Sequence, residues 1–222
     1  MPRPIAIFYH CVLNGPHIPS EDYAICVLQS QMMALKQSGL EDASSRIVVG
    51  VNGGDGDFLL VCSLAPKHSK VMVMCNKGGQ SEIPTMQNLR DHLNVMQGHN
   101  VLYFHTKGVS YPGNQVWTNW RNCMEKVCVW NWKECVEALV GYDTVGAHWI
   151  THEKYSSSGV LKGQRYWGGN FWWATSDYLL TLPPLPPDSR EARYEAETWI
   201  GKSRIPPLVH DFAPHFPMNC PP

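Results

Sequence analysis

The chain has 222 residues, of which 44% are apolar and 17% charged, and its 18 basic and 19 acidic side chains leave a formal net charge of -1. This composition is typical of a globular chain with a sizeable core and excludes a disordered one. It also disfavours a protein that holds duplex nucleic acid by the phosphates alone, because such proteins are strongly basic.

The first part of the chain alternates strands with helices. The segment IAIFYHCVL, from Ile5 to Leu13, predicts a strand, and Ser20 and Gly39 are the predicted N-cap and C-cap of the helix that follows. Further strands are predicted at 46–53, at 70–76 and in NVLYFHTKG, with a helix over IPTMQNLRDHLNVM. DFLLVCSL fits either a short helix or a strand.

The second part continues with longer elements. The sequence predicts one helix from Gln115 to Val140, broken near Trp130, then a strand from Tyr142 to Ile150 and a polar loop from Thr151 to Gln164. A strand running into a short helix (YWGGNFWWATSDYLLTL), a last helix (SREARYEAETWIG) and a loop after Ile205 complete it. This alternation predicts a single α/β domain with a mainly parallel sheet.

The eight cysteines predict neither a disulfide framework nor a zinc ribbon. No CxxC pair occurs, and several cysteines lie in apolar runs such as AICVL, where a free thiol behaves as a small hydrophobe. We expect reduced thiols. Because the sequence shows neither a signal-peptide pattern nor an apolar run as long as a membrane span, we expect a cytoplasmic protein.

The segment FHTKG ends a predicted buried strand with His105, Thr106, Lys107 and Gly108. Ligands of open α/β sheets bind at the carboxyl ends of the strands, and a lysine suits a diphosphate as a point charge. Gly108 allows close approach of the backbone. The alternative is a strand end whose polar residues meet water.

The segment WGGNFWWA combines glycines, an asparagine and aromatic residues. If it is a strand, Asn170 and Trp172 share one face and Trp173 lies on the other. Gly169 would let a sugar or base lie against the backbone, Asn170 could bond hydroxyls, and the indoles could stack on a ring. An aromatic core strand is the alternative.

The helix RYEAETWIG places Glu197 four residues after Arg193. A carboxylate at this helix end could act as a general base on an acceptor hydroxyl. The alternative is a solvated surface pair with Arg193.

Weaker candidates lie in other loops and strand ends. His10 and Asn52 end the first two strands and could line a donor site, while His210 and His215 in the C-terminal part could be metal ligands or phosphate contacts. A tight turn explains NGGDGD better than a phosphate loop does. For His210 and His215, the alternative is that they are packed or surface histidines.

Taken in order, IFYH, VGVNG, LYFHTKG, YDTVGAHW, GGNFWWA and RYEAETWIG resemble a family of small GT-A-like glycosyltransferases of bacteria, phages and large viruses. The resemblance spans nearly the whole chain, and HTKG and GNFWWA are its specific blocks. It implies a GT-A-like, Rossmann-type fold with a nucleotide-sugar half at about 1–110 and an acceptor half at about 111–222. It also implies a bacterium or an infected host cell as the setting.

The resemblance further implies transfer of a sugar from a nucleotide-sugar donor to a hydroxyl acceptor, either a glycan or a hydroxymethylated DNA base. The resemblance implies that Lys107 and His105 neutralise the diphosphate. The other donor-binding residues would be His10, Asn52, Thr106 and Gly108. Glu197 is the base, and the acceptor residues are Gly169, Asn170, Trp172 and Trp173. The alternative is a non-catalytic module that binds a glycan or nucleotide on its aromatic residues.

A divalent cation, Mn²⁺ or Mg²⁺, is the cofactor that GT-A enzymes usually hold with an Asp-x-Asp at a central strand end. Here that strand ends in His105, Thr106 and Lys107. Two alternatives are therefore open. Other residues hold the cation, with His210 and His215 as candidates, or Lys107 and His105 neutralise the diphosphate in its place.

Overall fold

A computed structural model of the chain describes residues 2–151 and 163–212. Its strands are, in chain order, β1 (Ile5–Val12), β2 (Ser44–Asn52), β3 (Val71–Asn76), β4 (Asn100–His105), β5 (Thr144–Gly146), β6 (Trp149–Thr151), β7 (Arg165–Trp167), β8 (Trp172–Thr175) and β9 (Val209–Asp211). Its α-helices are α1 (Glu21–Gln37), α2 (Leu40–Ala43), α3 (Asp55–Leu64), α4 (Ile83–His92), α5 (Gln115–Glu125), α6 (Trp132–Ala138), α7 (Ser176–Leu179) and α8 (Arg193–Thr198).

Within these residues, seven strands form one mainly parallel sheet in the order β3-β2-β1-β4-β8-β5-β9. β8 runs antiparallel to both of its neighbours, β4 and β5, and β6 and β7 form a separate antiparallel pair. Helices cover the sheet, so the predicted α/β fold class, a mainly parallel sheet in a single domain, is confirmed. The boundary near residue 110 between a donor half and an acceptor half stays a prediction.

The core lies on both faces of the sheet because successive strand residues point to opposite sides. Ile7 and Tyr9 of β1 pack on one face with α1, whereas Ala6 and Phe8 pack on the other face with α4. Burial on both faces is what a parallel sheet covered by helices requires. It also explains why the strands are apolar without alternation.

Most of the predicted element boundaries are confirmed. The Ser20 hydroxyl accepts a hydrogen bond from the Tyr23 amide and begins α1, and Gly39, with φ 75°, follows the helix end. DFLLVCSL is helical in α3. The predicted break near Trp130 is a π-helical turn, Lys126–Trp130, between α5 and α6.

Three sequence predictions are wrong in detail. The strand expected from Tyr142 to Ile150 is two strands, β5 and β6, because the chain turns at His148, which has φ 66°. Residues 168–170 form a turn before β8 rather than part of a strand. Residues after Ile205 include β9, which pairs with β5.

The remaining expectations concern loops, thiols and membranes. Most of the predicted loop from Thr151 to Gln164 lies outside the described residues, as do His215 and Cys220. The cysteines within the described part are free thiols. In the same part of the chain, no helix combines the length and the apolar character needed to cross a membrane.

Candidate functional site

The carboxyl edge of the sheet brings two predicted residues together. β1 and β4 are neighbours, and their register sets His10 directly beside His105. Asn52 and Asn76 end β2 and β3 in paired positions along the same edge. The predicted strand ends therefore meet at one place, as parallel strands require.

His10, Asn52, Asn76 and Thr85 form a buried set of hydrogen bonds that we call the floor network. The Asn76 amide donates to the Thr85 hydroxyl at 3.0 Å and to the Asn52 carbonyl at 3.1 Å. The Thr85 hydroxyl lies 2.9 Å from His10 Nδ1. The Asn52 amide donates to the Ser81 backbone carbonyl at 2.7 Å. Each of the four side chains in this network thus has at least one hydrogen-bond partner inside the protein.

Gly50 makes the floor network geometrically possible. A Cβ on Gly50 would lie 2.0 Å from the Thr85 hydroxyl oxygen, which is far inside contact distance. The missing side chain lets Thr85 of α4 lie directly on β2. Burial lowers the pKa of His10 from 6.5 to about 4, so the ring is neutral when it meets Thr85.

Glu82 immediately precedes α4 and joins three elements. Its Oε2 accepts hydrogen bonds from the Tyr103 hydroxyl and from the Asn170 amide, both at 2.7 Å. Its Oε1 lies 3.6 Å from His105 Nδ1. Tyr103 is on β4 and Asn170 is in the 168–170 turn, so Glu82 ties that turn to the sheet.

His105 is held as a neutral ring. Its Nε2 donates to the Gly169 backbone carbonyl at 2.9 Å, so Nε2 carries the ring proton. Burial and the positive charge of Lys107 lower the pKa of His105 from 6.5 to about 3, against the opposing effects of the Gly169 bond and of Glu197. Burial, reinforced by Glu82, raises the pKa of Tyr103.

Lys107 follows at the turn after β4. Gly108 has φ 81°, which turns the chain against α5, and the Lys107 carbonyl accepts a hydrogen bond from Arg121 at 2.9 Å. The Lys107 ammonium lies 5.6 Å and 5.1 Å from the ring centroids of Trp117 and Trp120. Among the described residues it forms no ion pair with a carboxylate.

Glu197 of α8 is half-buried and lies close enough to His105 and Tyr103 to influence both electrostatically. Its negative charge opposes the lowering of the His105 pKa and raises the pKa of Tyr103. α8 packs against α4, which explains this proximity. We call Glu82, His105, Lys107 and Glu197 the edge cluster.

The surface pair with Arg193, which was the alternative to a catalytic Glu197, is not formed. The Arg193 guanidinium lies 5.0 Å from the ring centroid of Tyr194. The ion pair of this segment joins Lys202 to Glu195 instead. Within the described residues Glu197 therefore has no salt-bridge partner, and its carboxylate is not bound up in a surface pair.

The aromatic residues assigned to the acceptor lie in the core. Trp172 and Trp173 are both 0% exposed, and their indole nitrogens donate to Asn170 and to the Cys128 carbonyl, each at 2.8 Å. Asn170 is itself 0% exposed, and its amide is engaged by Glu82 and Trp172. An acceptor reaches none of these three side chains in this conformation.

The 168–170 turn has a packing reason for its composition. Gly169 has φ 85°, and a Cβ there would lie 2.5 Å from the Met124 sulfur. Asn170 has φ 57°, a left-handed conformation that asparagine tolerates better than most residues. The contribution of Gly169 to the edge cluster is its carbonyl oxygen, which fixes His105.

A different aromatic surface lies beside Lys107. The rings of Tyr111 and Trp117 stack at 4.9 Å with an interplanar angle of 11°, and Trp117 stacks on Trp120 at 5.3 Å. Tyr111 is 50% exposed. This aromatic stack was not predicted, because helical spacing places Trp117 and Trp120 on one face and so favours a core role.

The described residues show no three-ligand metal site, and the divalent cation that the resemblance implies stays a prediction. None of their clusters of histidine, cysteine, aspartate or glutamate has three members placed to hold an ion. His210 is enclosed by the rings of Tyr142 and Phe212 at centroid distances of 4.9 Å and 4.5 Å. His215 lies outside the described residues.

Comparison with known proteins shows the fold and not a family. No family model matches the chain, and no curated protein matches it. The structure of HddC from Yersinia pseudotuberculosis is similar with a TM-score of 0.52 and 10% identity, over 95% of this chain and 90% of that one. This similarity supports a shared fold between the two chains.

Two further structures are similar at lower scores. One is a putative nucleotide-diphospho-sugar transferase from Desulfovibrio desulfuricans G20, with a TM-score of 0.44 and 12% identity over 94% of this chain and 79% of that one. The other is a 4-diphosphocytidyl-2C-methyl-D-erythritol synthase, with a TM-score of 0.42 and 16% identity over 95% and 89%.

Proposed function

We propose that the chain is a glycosyltransferase that moves a sugar from a nucleotide-sugar donor to a hydroxyl acceptor. One observation carries the proposal. Lys107 follows the end of β4 at the carboxyl edge of the sheet, α8 with Glu197 packs against α4, and neither charge is in an ion pair among the described residues. Transfer from a nucleotide sugar needs a cation at the diphosphate and a base at the acceptor.

The donor side of the proposal rests on Lys107. The leaving diphosphate gains negative charge as the glycosidic bond breaks, and a nearby ammonium stabilises that charge. Thr106, His10 and Asn52 are buried and hydrogen-bonded within the protein. They would form the floor of the donor site, and Gly108, which has no side chain, would let the donor approach the backbone closely.

The acceptor side rests on Glu197. In the proposed step the acceptor oxygen bonds to the anomeric carbon while that carbon's bond to the diphosphate oxygen breaks. The bonding electrons leave with the diphosphate, and the acceptor proton moves to the Glu197 carboxylate. A half-buried carboxylate without an ion pair among the described residues is suited to accept it.

A glycan fits the acceptor role best, and a hydroxymethylated DNA base is the second candidate. The half-exposed Tyr111 of the aromatic stack offers a ring surface next to Lys107, and aromatic faces support sugars and bases alike. The net charge of -1 gives DNA phosphates little to bind. The same stack is what favours the alternative function, a non-catalytic module that binds a glycan or nucleotide.

The test is a thermal-shift screen of nucleotide sugars, followed by an assay for nucleoside diphosphate release with hydroxyl acceptors. A ligand that binds the folded state raises the melting midpoint. We expect at least one nucleotide sugar to do so and to be consumed. Binding without consumption by any acceptor would favour the binding module, and no binding of any nucleotide sugar would reject the transferase.

Running the assay with EDTA and with added Mn²⁺ tests the role of the cation. If the Lys107 cation replaces a metal at the diphosphate, turnover persists in EDTA, and the neutral His105 adds no positive charge there. Loss of turnover that Mn²⁺ restores would assign the charge to a metal held by other residues, with His215 among the first to change.

A further inference from the structure

Two hydrogen-bond acceptors face each other in the edge cluster. His105 Nε2 carries the ring proton because its partner, the Gly169 carbonyl, can only accept. Nδ1 of the neutral ring therefore carries no proton, and its lone pair can accept a hydrogen bond. It lies 3.6 Å from Oε1 of Glu82, which is also an acceptor.

Glu82 is fixed in this orientation from its other oxygen. Oε2 accepts from Tyr103 and Asn170, both buried donors. The carboxylate also lies at the N-terminus of α4, where the helix dipole favours negative charge. Oε1 is thus held towards His105 rather than rotated away from it.

The pair lacks the hydrogen that would join it. A direct hydrogen bond between nitrogen and oxygen spans about 2.7–3.2 Å, so 3.6 Å is too long for one. No donor among the described residues bonds either atom. Both acceptors are therefore left to solvent or to a ligand for a donor. The side chains of His105 and Glu82 retain 12% and 10% exposure, so a hydroxyl from solvent can reach both.

We propose that Glu82 is a specificity-determining residue that, with His105, accepts the hydrogen of a hydroxyl group on the transferred sugar. The assignment rests on the proposed function, because Lys107, two residues after His105, would hold the diphosphate next to that sugar. A hydroxyl between Oε1 and Nδ1 supplies the donor that both acceptors lack. This gives His105 a role at the sugar rather than at the diphosphate.

The variant Glu82→Gln removes this hydroxyl site with little change of shape. Its carbonyl oxygen can accept from Tyr103 and Asn170, while its amide nitrogen faces His105 Nδ1 and donates to it. Glu41→Gln is the matched control, because Glu41 is also buried and paired with a histidine, His68 at 3.3 Å, at the other end of the sheet.

The experiment compares the affinities of UDP-glucose and GDP-mannose with those of UDP and GDP by calorimetry. For whichever pair binds, we expect Glu82→Gln to weaken the nucleotide sugar at least about tenfold and to leave the nucleoside diphosphate within about twofold. Glu41→Gln should change neither. Equal losses for both ligands, or no loss, would overturn the assignment. A wild-type protein that binds none of the four ligands contradicts the proposed function and this assignment with it.

Nitrogen-15 NMR of His105 in the wild-type protein gives a test that needs no variant. We expect an unprotonated Nδ1 whose shift moves on adding the nucleotide sugar and stays in place on adding the nucleoside diphosphate. An Nδ1 that already carries a proton in the free protein would mean that Glu82 and His105 bond to each other, which would reject the hydroxyl site while leaving the transferase proposal intact.

Discussion

The floor network and the edge cluster lie side by side at the carboxyl edge of one sheet, and each contains one of the two paired histidines, His10 and His105. In the floor network each donor of Asn52 and Asn76 meets an acceptor, and His10 meets Thr85. In the edge cluster, Lys107 and Glu197 have no ion-pair partner among the described residues, and the free acceptors of Glu82 and His105 face each other. The two regions differ in hydrogen-bond satisfaction.

This difference separates support from binding. A satisfied buried network lowers the energy of one conformation and has nothing left to offer a ligand. Unsatisfied groups raise the energy of the free protein, and a ligand that satisfies them recovers that energy on binding. The residues of the edge cluster are therefore the ones whose substitution should change chemistry more than stability.

The largest effect is expected for Glu197→Gln. The change preserves shape and removes proton acceptance, so turnover should fall about a hundredfold or more while donor affinity stays near the wild-type value. Steady-state rates and calorimetry measure the two quantities. Glu195→Gln is the control, because Glu195 lies on the same helix as Glu197 but is paired with Lys202. A change in melting temperature without a change in rate would remove Glu197 from the edge cluster's chemistry.

Next is Lys107→Ala, which removes the cation from the diphosphate. A charge-assisted contact of this type contributes about 1.5–3 kcal/mol, or about tenfold to a hundredfold in donor affinity. The control is Lys133→Ala, since the Lys133 ammonium also lies over an indole, at 5.6 Å from the Trp132 ring. Equal affinities in both variants would show that Lys107 only packs on Trp117 and Trp120.

The converse effect is expected in the floor network. Thr85→Val leaves His10 Nδ1 and one Asn76 N–H without a partner, and each unsatisfied buried group costs about 1–3 kcal/mol. Urea unfolding should therefore show a clear loss of stability. Donor affinity of the folded protein should stay within about threefold, since Thr85 itself is 0% exposed and is not expected to contact the donor. Lost affinity at unchanged stability would erase the distinction between the two regions.

The sequence predicted the positions of the strands better than it predicted which strands pair with each other in the sheet. Apolar runs and caps identify β1 and β4, but their pairing, which sets His10 beside His105, joins residues 95 positions apart in the chain. Short strands were harder. β9 has three residues, and a pattern of that length has no usable periodicity.

The sequence identifies a candidate where a charge stands at a strand end, and the role of Lys107 stays a prediction, but it does not show which aromatic residues are buried. Lys107 is recognisable because a lysine after an apolar strand is unusual. Trp172 and Trp173 were assigned to a ligand because aromatic residues look alike in a core and in a binding site, and only the sheet's two covered faces distinguish them. Glu82 gave no signal, because its partners Tyr103 and Asn170 lie 21 and 88 residues away.

The smallest effect is expected from pH, and it should involve both regions equally. Burial lowers the pKa of His10 to about 4 and, with Lys107, that of His105 to about 3, so both rings stay neutral in the folded protein at neutral pH. In the unfolded chain each histidine takes up a proton near its ordinary pKa of 6.5. The stability from these neutral rings is therefore complete above pH 6.5 and declines as the pH falls towards the folded pKa values. Each histidine should contribute about 1 kcal/mol to the loss between pH 6.5 and 5.5.

Urea unfolding at both pH values measures this loss. The free energy of unfolding should fall less with decreasing pH in His10→Gln than in the wild type. Equal slopes, or a His10 or His105 ring that titrates near pH 6.5 by NMR, would contradict the burial of these rings and with it the shared edge on which both regions are built.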